Sequence, residues 1–275
     1  MKKFLFAFST ILFLCSCNNV MSKVQNLVGQ KDFATDSIVF DKDINHVHVR
    51  LYVDYPTSGN PQLIYAIQEY VSEELGGTYE GNYNQGQEMM NAYGEGEWNR
   101  LKKEYDVMAQ EVESQYLEGM SFYSSYEIRK IYETEELITF ATQHEIYLGG
   151  AHGMQNYSGI TFRKSDGRRF GYDMMRDIYT DNFYEITKEG LKEYFSEAVG
   201  HKPSDSELEQ WLMTNDNVHA LSHPIAQPYM TEEGVIFQYQ PYEIAPYASG
   251  MPVFTVSYQD IMPFLMTGAK RMIKK

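Results

Sequence analysis

Cysteine is almost missing from this 275-residue chain, which has two, Cys15 and Cys17, both near the N-terminus. The remaining body has no thiol, so it holds no disulfide framework and no thiolate metal site, and its stability has to come from packing. Positive charge is also short: 23 Lys and Arg stand against 38 Asp and Glu, a formal charge of −15. Such a surface repels phosphate backbones, which excludes nucleic acid as a partner, and it favours encounter with a cationic one. Tryptophan is limited to two residues and proline to nine. Long apolar runs are lacking as well. The apolar stretch at residues 4–14 is shorter than the roughly 20 residues that span a bilayer.

That stretch follows Lys2 and Lys3 and has the form of a secretion signal. Leu14-Cys15-Ser16-Cys17 then resembles a bacterial lipobox, with Cys15 an unusual middle residue. Residues 1–16 are therefore expected to be removed as a lipoprotein signal peptide, and Cys17 to carry a lipid anchor that holds the protein at the cell envelope, as an outer-membrane lipoprotein on its periplasmic or surface face. Removing the two lysines takes the formal charge from −15 to −17.

What the chain does have is aromatic mass, with 23 tyrosines and 15 phenylalanines, enough for one large core or two smaller ones. Residues 17–40 are polar and unpatterned and read as a tether. Beyond them "HVHVRLYVDY" alternates, with Val47, Val49, Leu51, Val53 and Tyr55 on one face and His46 and His48 together on the other. Two histidines on one strand face do not complete a metal site. Asn60-Pro61 opens a helix with the stripe Ile64, Ile67, Val71, Leu75, ended by Gly76-Gly77. A second helix carries Trp98, Leu101, Tyr105, Met108 and Val112, a stripe read as core in preference to a sugar-binding platform.

After Gly119 the period changes to two. "FYSSYEIRKIY", "LITFATQHEIYL", "SGITFR" and "RRF" form a meander of about four strands, the last two around Asp166-Gly167. "LGGAHG" lies between the second and third of these. Its glycines suit a chain reversal, with Gly150 expected at positive φ, and His152 is expected to fix that turn through its ring nitrogens. Two helices follow, the second opened by a Ser204/Glu207 capping box, and "GVIFQYQ" and "VFTVSY" are strands bracketing "PYEIAPYASGMP". The fold expected is α+β, antiparallel sheets with packed helices, in two closely associated subdomains: an N-terminal module at 41–146 and a C-terminal one at 147–275.

"YLGGAHG", "TFRKSDGRRF" and "EEGVIFQYQPYEIAPYASG" together resemble the extracellular domain family shared by the lysozyme-sensing anti-sigma factor RsiV and the non-catalytic part of the peptidoglycan deacetylase PdaC. The resemblance covers residues 147–265, and the preceding region is similar to the smaller module that accompanies it. It implies a non-enzymatic binding domain, with a lysozyme-like cationic protein or peptidoglycan as partner. The chain departs from both relatives in carrying neither a sigma-binding segment nor a deacetylase domain. The candidate binding residues are His152 and, on the connection between the last two strands, Tyr242, Glu243 and Tyr247.

No catalytic residue, cofactor or metal site is assigned from the residues. His219 and His223 in "HALSH" have an i, i+4 spacing but no accompanying acidic motif, and Pro224 follows directly. A carbohydrate-active enzyme acting on cell-wall or other glycans is the alternative, motivated by the tyrosines and the two histidine pairs. Converging carboxylates or histidines in a deep pocket would favour it, and a shallow groove among irregular loops would favour binding. The sequence does not specify an oligomeric state.

Overall fold

The computed structural model describes residues 32–113, 119–213 and 221–273. The expected signal segment, Cys17, most of the expected tether and His219 lie outside them. The tether ends earlier than expected, because Ala34–Ile44 is a strand, β1, paired antiparallel with β2 (Val47–Ser58). Charges and exposed positions interrupt the alternation of β1, which an edge strand tolerates and a buried one does not. Ile44 pairs with Val47, so the loop is Asn45-His46 alone, at φ 54° and 66°. Two consecutive positive φ values match the primed turns that suit strand twist. This separates the first histidine pair. His46 sits in the turn with its ring over Tyr105, centroids 5.4 Å apart, whereas His48 on the strand meets the Asp41 carboxylate at 2.9 Å.

The buried face of β2, Val47 through Tyr55, is the one the alternation predicts. From its end the chain enters α1 (Pro61–Glu74), whose cap is the Asn60 side chain accepting from the Gln62 N–H at 2.9 Å, and then α2 (Gly86–Glu111). Two helices make a connection long enough to return the chain to the same end of the sheet, so β3 (Phe122–Glu133) pairs parallel with β2, in register from Val47↔Phe122 to Val53↔Ile128. The sheet is therefore mixed rather than purely antiparallel. β4 (Leu137–Tyr147) and β5 (Met154–Arg163) complete it in the order β1-β2-β3-β4-β5. The fourth strand of the expected meander is reduced to a single bridge, Phe162↔Arg169, before the chain leaves the sheet.

The second half packs a 3-10 turn (Tyr172–Met174), α3 (Asp181–Val199) and α4 (Asp205–Trp211) against a three-stranded antiparallel sheet of β6 (Tyr229–Met230), β7 (Val235–Gln238) and β8 (Val253–Val256). Two short helices, α5 (Tyr258–Ile261) and α6 (Thr267–Lys270), close the chain. Both hydrogen bonds of the Ser204/Glu207 capping box are present. Just behind it Asp205 ties α4 to α3 by pairing with Lys188 and Lys192, whose stems are buried.

Each half has its own apolar core, the first including Leu51, Ile67, Met89, Phe140 and Phe162, the second Phe183, Leu191, Phe237, Phe254 and Ile261. The division expected at 146–147 cuts the β4–β5 hairpin, since those strands pair from Leu137↔Arg163 to Ile146↔Met154. The cores separate after β5 instead, except that Leu137 at the start of β4 packs into the second one. Fully buried Thr139 and Thr161 join the two sheets: the Met230 N–H donates to Thr161 Oγ1 at 2.7 Å, and the Thr139 hydroxyl donates to the Met230 carbonyl at 2.7 Å. Among the described residues no helix is long and apolar enough to cross a membrane.

Candidate binding face

"LGGAHG" joins β4 to β5, and its three glycines do different jobs. Gly149, not Gly150, has positive φ, at 77°. Gly153 matters for closeness: a Cβ there would lie 2.9 Å from the Ile146 carbonyl, inside contact distance. Gly150 has open surroundings, its nearest atom 3.9 Å from such a Cβ. Exposed His152 bonds through Nδ1 to the Gly153 carbonyl at 2.8 Å and stacks on Tyr247, centroids 4.2 Å apart at 20°. The Tyr247 hydroxyl donates to that same carbonyl at 2.8 Å. Tyr242, also exposed, lies 5.5 Å beyond Tyr247. Three of the four candidate residues therefore form one ladder, His152–Tyr247–Tyr242.

Glu243 has a different task. Its carboxylate accepts from the backbone N–H groups of Ile225 and Gln240, each at 2.7 Å, which braces the connection from within. The Gln240 amide reaches the outer edge of β5, accepting from the Tyr157 N–H at 3.2 Å and donating to its carbonyl at 2.7 Å. Tyr194 on α3 donates to the Ser249 carbonyl at 2.7 Å. The connection from Gln240 to Ser249 is thus irregular but held at several points. The 3-10 turn Tyr247–Ser249 also borders a groove of about 640 Å³, lined by Tyr194, Trp211 and Pro246.

The residues most suggestive of an enzyme are disposed differently. Ser124 Oγ lies 3.4 Å from His144 Nε2, beside Glu97, yet Ser124 is 1% exposed and has no approach for a substrate carbonyl. The His144 ring lies on Tyr126 at 3.8 Å, and burial holds its pKa below the usual imidazole value. Burial also depresses His223, which sits among Tyr172, Tyr179 and Phe183 at 5.6, 5.1 and 5.4 Å. Among the described residues no three His, Cys, Asp or Glu side chains are grouped to hold a metal.

This architecture defines a mixed α+β protein with a five-stranded and a three-stranded sheet. Residues 176–259 match the model of the family DUF3298, described as a protein of unknown function. A solved DUF3298 protein from Bacteroides fragilis has the same fold, with a TM-score of 0.71 at 17% identity over 88% of this chain and 98% of its own. A second, from Pseudomonas aeruginosa, aligns at a TM-score of 0.56 and 14% identity, over 86% and 96%. No curated protein matches the chain.

Proposed function

We propose that the chain is a lipid-anchored envelope protein whose folded part binds a cationic, lysozyme-like protein without catalysing a reaction. The observation that carries this reading is the His152–Tyr247–Tyr242 ladder, its end rings exposed and Tyr247 half-buried between them, mounted on a connection braced by Glu243, Gln240 and Tyr194. Rigid aromatic side chains on ordered loops bury large area on docking at small entropic cost. The formal charge of −15 favours encounter with a basic partner, and the resemblance of the same loops to the lysozyme-sensing domain family names its kind. The lipobox-like Cys17 supports display at a membrane.

Titration of the full chain with a c-type lysozyme at low and physiological salt tests the reading, with an unrelated basic protein as control. Association should slow as salt rises while most of the affinity persists, because screening over about 8 Å at physiological ionic strength weakens steering more than a desolvated contact. Equal binding of the control would reduce the interaction to charge. Binding of peptidoglycan but not lysozyme would move the partner to the wall polymer.

A further inference from the structure

Beyond that face, in the other half of the molecule, α1 and the segment that follows it enclose a groove of about 610 Å³. Tyr83 stands in the middle of a row of rings, with Tyr65 and Tyr79 each 6.1 Å away at 26° and 20°. Tyr65 is 57% exposed although it is a large aromatic side chain on a packed helix. The platform is fixed from behind. The Tyr93 hydroxyl accepts from the backbone N–H groups of Thr78 and Tyr79 at 2.9 Å, the Tyr55 hydroxyl donates to the Tyr83 carbonyl, and Asn82 Oδ1 accepts from the Asn84 N–H at 3.0 Å.

The polar lining is independent of the rings and points to a ligand of its own. Gln68 is 4% exposed and borders the groove. What remains open of its side chain faces the groove, where a hydroxyl of a ligand can take the place of water on the amide. Asn82, Asn84 and Glu80 add further amide and carboxylate groups at the rim, and no Lys or Arg lines the groove. A volume of this size lies within the range of about 300–1,000 Å³ typical of small-molecule clefts.

Aromatic faces suit the apolar C–H faces of sugar rings, and amides and a carboxylate suit their hydroxyls. The lone carboxylate, with no cation beside it, disfavours an acidic glycan. We infer that this groove is a binding site for a short neutral oligosaccharide, which lies on the Tyr65–Tyr83–Tyr79 row and hydrogen-bonds to Gln68. This site is separate from the His152 ladder and stands or falls without it.

The test is calorimetric titration of the full chain, kept in solution with mild detergent, with triacetylchitotriose, cellotriose and maltotriose. At least one should bind. Tyr65→Ala should weaken that binding about tenfold without changing the melting curve, since the side chain is largely exposed. Gln68→Leu should weaken it while leaving the fold intact. Gly81→Ala supplies an independent check, because a Cβ there would fall 2.4 Å from the Tyr79 ring tip and push that ring aside. His152→Ala should leave sugar binding unchanged. The proposal is overturned if none of the three sugars binds at millimolar concentration, if an acidic oligosaccharide such as trigalacturonate binds better, or if Tyr65→Ala and Gly81→Ala both bind as the parent does.

Discussion

His152 and Tyr247 share one acceptor: the Nδ1 of the imidazole and the phenol hydroxyl both lie 2.8 Å from the Gly153 carbonyl while the two rings stack at 4.2 Å. The contact joins the β4–β5 turn to the connection before β8. Tyr247→Phe keeps the stack and loses one hydrogen bond, so it should cost about 0.5–1.5 kcal/mol in denaturant unfolding. Tyr247→Ala should also lower affinity for lysozyme by tenfold or more, on the order of a hot-spot loss. His152→Ala, at an exposed position, should change stability little. Unchanged lysozyme affinity in both alanine variants would remove the ladder from the interface.

The glycines of the turn separate by mechanism. Gly149→Val should destabilise by about 1–2 kcal/mol, because a β-branched residue is disfavoured at φ 77°. Gly153→Ala should also destabilise, through the 2.9 Å approach to the Ile146 carbonyl. Gly150→Ala should melt with the parent. Thermal melts of the three variants check this, and a destabilised Gly150→Ala would mean that the turn is organised differently.

Alternation and capping made much of this fold legible: Val47 through Tyr55, Asn60-Pro61 and the Ser204/Glu207 box each act locally, so neighbouring residues carry the signal. The edge strand β1 was hidden because the charges an edge tolerates also erase its period, and with it went the Asn45-His46 turn. The parallel β2–β3 pairing and the division after β5 depend on where distant segments meet, which no local pattern records. The same limit applies to the site. His152, Tyr242 and Tyr247 are visible as unusual loop residues, but their stacking is a tertiary fact, and so is the turn of Glu243 toward backbone N–H groups. No local pattern singles out Tyr65, Tyr79 and Tyr83 in a chain with 23 tyrosines.

Thr139 and Thr161 hold the two halves together. Their hydroxyl oxygens are 2.8 Å apart, and both groups of Met230 depend on them. Thr139→Val and Thr161→Val keep the shape but leave a buried Met230 carbonyl or N–H without a partner. Each should cost about 1–3 kcal/mol. The double variant should cost less than the sum of the singles, because the residues form one network. Strict additivity in chemical denaturation would show that the two bonds act separately.

Stability should fall on mild acidification because of His144 and His223, whose pKa values burial holds below 6.5 in the folded protein. The sign follows from linkage. Between the depressed folded pKa and 6.5 the unfolded chain binds more protons than the folded one, so stability rises with pH across that window. Their contribution is complete above about pH 6.5, the ordinary imidazole value, and is lost as pH falls through the folded values. His223→Phe is the informative variant, since a neutral ring suits its place among Tyr172, Tyr179 and Phe183. Its melting temperature should fall less than the parent's between pH 7 and about pH 5, the window in which an imidazole titrates. The paired carboxylates Glu97, Glu133 and Asp205, all held below their usual range, add a second decline only at lower pH. Parallel melting profiles for parent and variant down to that pH would place the acid sensitivity at groups other than His223.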